Sequence, residues 1–193
     1  MLRAKKTNRP PSTAIDCRRL SSKDFFSHQP SAISLGSNLG DRFQTLALAR
    51  GKLAALPQTR LVGVSSVYET EAVDSPPNSP SFLNAVLLLD TALAPEELLR
   101  ATQAIEREHH RERPFPNAPR TLDIDLLFVG DLTLDTPTLT LPHPRAHLRR
   151  FVLAPLAELL PDFIFPHQTR TIAELLSQLP AHPTATRATQ QWK

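Results

Sequence analysis

The chain has 193 residues, enough for one domain with a buried core. Its 40% hydrophobic and 21% charged composition is that of a globular protein, and it has no run of the roughly 18 to 20 apolar residues that a membrane helix needs. A single cysteine, Cys17, excludes a disulfide framework and a multi-cysteine metal site, and it agrees with a reducing, cytoplasmic compartment.

The net charge of +3 is unevenly spread. Residues 1–30 hold seven Lys or Arg against two acids, whereas the remainder holds 15 against 17. The basic pI therefore belongs to the leading segment and gives no reason to expect nucleic-acid binding by the body. That segment, rich in Arg, Lys, Ser and Pro without an apolar period, is predicted to be a disordered extension. Asp16, Asp24 and Pro10-Pro11 weigh against an organelle transit peptide.

From residue 31 to 180 the pattern predicts one folded domain, with a tail at 181–193 expected to fray. Ala32 to Leu35 reads as a short strand ending at Gly36. Asn38 is suited to cap a helix from Leu39 to Leu56, with Leu39, Phe43, Leu46 and Leu53 on one face. Leu61 to Tyr68 reads as a strand, followed by a proline-punctuated loop from Thr70 to Ser81. Phe82 to Asp90 reads as a buried strand. Pro95-Glu96-Glu97 then opens a helix to His109, since proline suits the first helical position and acids suit the positive helix end. A second proline-rich loop, His110 to Pro119, precedes a strand from Leu122 to Val129, with Asp131 to Leu134 as its hairpin partner. Short helices at Phe151–Leu160 and Ile172–Leu179 follow. The order βαββαβ predicts an α+β, ferredoxin-like core, with helices packed on a mainly antiparallel sheet.

The strongest chemical signal is Pro119-Arg120-Thr121-Leu122-Asp123-Ile124-Asp125. Alternation on a strand would turn Leu122, Ile124, Leu126 and Phe128 into the core and project Asp123 and Asp125 together from the other face. Two neighbouring carboxylates must be neutralised, and magnesium suits them because it completes its shell with water and phosphate oxygens. Asp-x-Asp alone also fits a solvated strand face. The neighbourhood favours the metal: Arg111, Arg113 and Arg120 lie in one stiff stretch, and Arg145, Arg149 and Arg150 follow His143. No Gly-x-x-x-x-Gly-Lys-Ser/Thr loop is present to cradle phosphates. Phe82 and Asn84 share a strand face, an aromatic plate beside an amide, which fits a flat heteroaromatic ring as well as ordinary packing. Gln103 and Glu106 share a helix face that by itself reads as solvated. The seven histidines show no zinc-ligand spacing.

Taken together, these motifs resemble the 6-hydroxymethyl-7,8-dihydropterin pyrophosphokinase family. The matching pieces are Leu35 to Asp41, Ser65 to Thr70, Phe82 to Ala85, Leu98 to Glu106, Pro119 to Asp125 and Leu141-Pro142-His143, in the family's order. The resemblance implies a ferredoxin-like fold, two magnesium ions, and transfer of diphosphate from ATP to the pterin hydroxymethyl group with release of AMP, a step of tetrahydrofolate synthesis. It implies that Asp123 and Asp125 bind both ions, with Arg111 and Arg120 beside them in catalysis. It further implies that Phe82 and Phe151 sandwich the pterin, while Asn84 and the backbone near Thr70 and Val73 meet its edge. Gln103, Glu106, Arg113, Leu126, Thr140, His143 and Arg149 would line the ATP site together with Arg111 and Arg120, and the loops 71–80 and 110–119 would close as lids. The chain departs from the family's usual pattern at Asn117-Ala118, Pro144 and Glu71. The partners expected are ATP and the pterin alone, with no nucleic acid or membrane, and the chain is expected to be a monomer. A polymerase-β-like nucleotidyltransferase and an RNA-binding module are the rivals; the first keeps its Gly-Ser close to its Asp-x-Asp, whereas here Gly36 and Asp123 are 87 positions apart.

Overall fold

The computed structural model describes residues 29–71, 79–109 and 120–192. Its first strand, β1 (Gln29–Ser37), extends further at both ends than the apolar run Ala32–Leu35 predicts. The sheet explains why: β1 lies between β4 (Phe82–Thr91) and β5 (Asp123–Val129), so both of its edges are hydrogen-bonded. The six-stranded sheet runs β5-β1-β4-β3-β8, where β3 is Tyr68–Thr70 and β8 is Ala185–Arg187, and β2 (Thr59–Val64) also pairs β4. Every pair is antiparallel.

The single strand expected over Leu61–Tyr68 is two strands, because Ser65 interrupts it. The Ser65 hydroxyl accepts from the Val86 backbone N–H at 2.9 Å, taking the role of a main-chain carbonyl. Two further expectations are corrected. Residues 185–187 do not fray but add the outermost strand, on β3. The hairpin after β5 is formed by β6 (Leu134–Asp135) with β7 (Thr140–Leu141), not by Asp131–Leu134 against β5.

Helices cover both faces of the sheet. On one face lie α1 (Arg42–Ala54) and α2 (Pro95–Glu108), where Leu46, Leu53, Leu98 and Ile105 pack against Ile33, Leu35, Leu87 and Leu126. On the other lie α3 (Arg150–Leu159) and α4 (Ile172–Gln178), where Val152, Leu153, Leu156 and Ile172 pack against Ala32, Val86 and Phe128. The cap of α1 is Asp41 rather than Asn38: Asp41 Oδ1 accepts from Gln44 N at 3.0 Å. Gly40, at φ +66°, makes the turn into that cap, a conformation glycine adopts without steric cost. Leu39 accordingly stays outside the helix. At α2 the expected opening holds, with Pro95 first and the Glu97 carboxylate accepting from Ala94 N at 2.9 Å.

One irregularity shapes the functional end of the sheet. Along β5 the pairing passes from Ile33↔Leu126 to Ala32↔Phe128, which leaves Leu127 as an extra residue, a β-bulge. Leu127 and Phe128 both then face α3, and Phe128 does not share the face of Ile124 and Leu126 as strict alternation predicts. The Phe128 ring stacks on Phe163 at 4.4 Å and meets Phe165 edge-on at 6.1 Å. The Leu127 carbonyl, freed from the ladder, accepts from His143 N at 2.8 Å.

Among the described residues no helix is long and apolar enough to cross a membrane. Because Phe128 is fully buried within this aromatic cluster, Phe128→Ala should destabilise the fold by about 3–5 kcal/mol in urea denaturation. A loss under about 1 kcal/mol would show that the cluster can collapse around the gap.

Candidate active site

Three adjacent strands place the key positions in a row. The register sets Gly36 of β1 opposite Asn84 of β4 on one side and Asp123 of β5 on the other. One step along, Ser34 faces Asp125. All lie on the α3 face of the sheet, so the floor between the amide and the carboxylates is made only of a glycine and a serine. A Cβ at position 36 would sit 3.1 Å from Asn84 Oδ1 and 3.8 Å from both Asp123 Cβ and the Phe82 ring. The absence of a side chain at Gly36 keeps this space open.

Asp123 and Asp125 project together, as alternation predicts, and each has an arginine partner. Arg120 Nη1 lies 3.0 Å from Asp123 Oδ2, and its guanidinium also stands 5.7 Å from the centre of the Phe82 ring. Arg149 Nη1 lies 3.5 Å from Asp125 Oδ2, a charge pair looser than a good hydrogen bond, and stands 5.4 Å over Phe151. Each guanidinium thus pairs one carboxylate and covers one aromatic face. Arg120 Nε is buried and has no hydrogen-bond partner among the described residues, a donor well placed for an anion. Burial pulls the Arg149 guanidinium below its ordinary pKa, and the nearby Asp125 opposes that.

His143 Nε2 is 3.9 Å from Asp125 Oδ2. Burial lowers the His143 pKa against the opposing pull of Asp125, so the ring is neutral near pH 7. Its Nδ1 accepts from Arg145 N at 3.1 Å, which assigns the proton to Nε2, facing the carboxylate. The bulge carbonyl of Leu127 holds the His143 backbone in place.

On β4 the Asn84 amide nitrogen donates to Thr70 Oγ1 at 2.7 Å, and both residues are buried. This bond fixes the amide so that Oδ1 faces the space above Gly36. Glu106 is not on a solvated face: it is buried, and Oε1 accepts from Ile124 N at 2.7 Å, between the two aspartates. β5 is the sheet edge, so this contact covers one outward N–H. By two-residue alternation the backbone of Leu126 points off the same edge, while its side chain is buried against α1 and α2. Gln103 is exposed on α2, and Thr140 donates to Asp135 Oδ1 at 3.2 Å. Val73, Arg111 and Arg113 lie outside the described residues.

Asn38, read from sequence as a cap, is a clamp instead. Its N–H donates to Arg120 O at 3.1 Å, its Oδ1 accepts from Arg120 N at 2.7 Å, and its Nδ2 donates to Pro80 O at 3.3 Å. The side chain that meets Asp123 is therefore anchored to β1 through its own backbone. Arg42 performs a similar task nearby, donating to Glu69 and Ser81 at 2.8 to 3.1 Å. The Ser81 hydroxyl and then Arg42 hold the Glu69 carboxyl below its usual pKa.

Among the described residues no group of three or more His, Cys, Asp or Glu is placed to hold a metal. Two carboxylates fit an ion that draws its remaining ligands from water and phosphate, as magnesium does. An α+β domain with paired acids, converging guanidiniums and flanking aromatic rings has the make-up of a nucleotide-dependent transferase.

Comparison with known proteins narrows the class. The profile of the 7,8-dihydro-6-hydroxymethylpterin-pyrophosphokinase family matches residues 32–161. A 2-amino-4-hydroxy-6-hydroxymethyldihydropteridine pyrophosphokinase of Pseudomonas aeruginosa is 45% identical over 148 residues, covering 77% of this chain and 90% of that protein. The folic acid synthesis protein fol1 of Schizosaccharomyces pombe is 38% identical over 149 residues, which are 77% of this chain but only 20% of that one. A Plasmodium falciparum HPPK-DHPS structure with pteroate matches at TM-score 0.62 and 14% identity, over 81% of this chain and 43% of its own; that likeness speaks for the fold alone. The chain belongs to the 7,8-dihydro-6-hydroxymethylpterin-pyrophosphokinase family. It is an ATP-dependent diphosphokinase of folate biosynthesis.

If the open floor at Gly36 is what admits the pterin, Gly36→Ala should weaken pterin binding about tenfold, roughly 1.4 kcal/mol, and leave ATP affinity within twofold. Fluorescence titration with the pterin measures this; unchanged pterin affinity would show that the ring sits elsewhere.

Proposed function

We infer that this site transfers the terminal diphosphate of ATP to the hydroxymethyl oxygen of 6-hydroxymethyl-7,8-dihydropterin and releases AMP. The observation that carries the reading is the row Asn84–Gly36–Asp123 across three strands, which sets a fixed amide and an acidic pair on either side of an open floor.

In this reading Phe82 and Phe151 hold the pterin ring between them. The Asn84 oxygen, oriented by Thr70, accepts from the ring edge. Arg120 and Arg149 now cover those two rings and neutralise Asp123 and Asp125. When ATP and pterin bind, both guanidiniums exchange carboxylate oxygens for phosphate oxygens, which frees the acids and uncovers the aromatic faces. The Nε of Arg120, without a partner among the described residues, supplies a further donor for that exchange.

Asp123 and Asp125 would hold two magnesium ions, which supply charge neutralisation and orient the phosphates when bound. Glu106 keeps the acids in register by anchoring Ile124 between them, and the outward backbone of Leu126 is available to the nucleotide base. Gln103, Thr140 and His143 would line the nucleotide side, joined by Arg111 and Arg113. Val73 would join Thr70 at the pterin edge. The hydroxymethyl oxygen bonds to the β-phosphorus and gives up its proton to solvent, while the bond from that phosphorus to the α,β-bridging oxygen breaks and AMP leaves with the bridging oxygen. The acceptor nitrogen of His143 is already taken by Arg145 N, so positioning and electrostatics carry the acceleration.

The strand order, with β1 between β5 and β4 and with β2 and β3 beyond, supports a ferredoxin-like βαββαβ core to which α3, α4 and β8 are added. A cytoplasmic monomer is the simplest setting, and the lone Cys17 agrees with a reducing compartment.

Asp125→Ala should lower AMP formation from ATP, magnesium and the pterin by a factor on the order of 10³, with the fold intact by circular dichroism. Near-normal turnover would remove the aspartates from the reaction. Release of inorganic pyrophosphate in place of AMP would favour nucleotidyl transfer.

A further inference from the structure

The family profile ends at residue 161, yet the chain continues through α4 and then returns across the sheet. This returning segment reaches the flanks of the proposed pterin pocket at two places, beside Phe151 and beside Thr70. At one, Arg150 donates to the carbonyls of Leu179 and Pro180 at 2.8 and 3.0 Å. Pro180, His182 and Pro183 there form a wall of a cavity whose other side includes Arg149 and Phe151. At the other, His182 Nδ1 lies 3.3 Å from Glu71 Oε2, and Thr184 Oγ1 donates to Glu71 Oε1 at 3.3 Å. Glu71 directly follows Thr70, the residue that orients Asn84.

Between and beyond these points the segment is fastened to the sheet. β8 pairs the whole of β3, with Ala185 opposite Thr70, so that β3 is held on both edges. Beyond β8, Gln191 accepts from Val67 N at 2.7 Å and donates to Val67 O at 2.9 Å. Trp192 donates to Ser65 O at 2.7 Å, its ring lies 5.3 Å from Phe43, and Arg50 stands 4.7 Å above it. These last anchors are on Ser65, Val67 and α1, away from the acids.

We propose that residues 179–192 are a positioning strap for the pterin: anchored at Gln191 and Trp192, the strap holds Thr70–Glu71 and the flank of Phe151 in the geometry that receives the ring. A three-residue strand such as β3 orders poorly with a single partner, and each unordered residue must be fixed when ligand binds. The strap does that fixing before the ligand arrives. Its hydrogen bonds run to Arg150, Glu71, β3, Val67 and Ser65, which lie on the Thr70 and Phe151 flanks of the site, so its main effect falls on the pterin rather than on ATP. The inference rests on the functional reading above.

The test uses the full chain carrying Gln191→Ala and Trp192→Ala together. Pterin affinity is read by fluorescence, affinity for α,β-methylene-ATP by calorimetry, and integrity by thermal melting. The strap predicts a pterin Kd raised about tenfold with nucleotide Kd within twofold. It also predicts that Trp192→Phe alone, which keeps the ring against Phe43 and Arg50, restores most of the pterin affinity. Should the double variant fail to fold, His182→Ala with Thr184→Val, which severs only the ties to Glu71, carries the same expectation. An unchanged pterin Kd, or equal weakening of both ligands, would overturn the proposal. If the unaltered chain binds no pterin and forms no AMP, the functional reading itself falls, and the strap's role falls with it.

Discussion

Two carboxylates on one face of an edge strand repel each other and must be compensated, and the rest of this site follows from how that is done. Asp123 and Asp125 are set by the two-residue period of β5, and no local rearrangement can turn them apart without breaking the pairing to β1. Arg120 and Arg149 provide the compensation. Both are partly buried, so their attraction to the acids is stronger than at an open surface, yet Arg149 holds its partner loosely, at 3.5 Å. Such a pairing neutralises the site and suits the proposed exchange for a metal and a polyphosphate.

The scaffold is arranged around that pair. Glu106 holds the strand edge between the acids, Asn38 ties the backbone of Arg120 to β1, and the bulge at Leu127 presents a carbonyl that fixes His143. The same bulge turns Phe128 into the cluster beneath α3, which carries Arg149 and Phe151 at its start. One extra residue therefore links the packing of the second face to the position of two site residues. On the side proposed for the pterin the device is different: glycine at position 36 leaves room, and the bond between Asn84 and Thr70 fixes an amide.

Much of this was legible in the sequence. The alternation through Asp123 and Asp125, the shared face of Phe82 and Asn84 and the opening of α2 at Pro95 are short-range patterns, and they survive in the structure. What was not legible depends on distant partners. Phe128 changed faces because of a bulge set by β1, and Glu106 is buried because a strand edge needed an acceptor. Asn38 became a clamp because Asp41 captured the helix start and Arg120 lay within reach. The tail of short polar and proline residues gave no periodic signal, yet it pairs with β3 and seats Trp192 on α1, since an open strand edge and an aromatic neighbour were waiting. A lone tryptophan at position 192 was the available clue.

The central claim is that the two aspartates, once released by their arginines, grip divalent ions that present the triphosphate. Electron paramagnetic resonance with manganese replacing magnesium tests it directly. With α,β-methylene-ATP, the chain should bind two manganese ions, and the variant carrying both Asp123→Ala and Asp125→Ala should retain neither beyond what the nucleotide holds free in solution. Two ions bound with undiminished affinity by that variant would contradict the account.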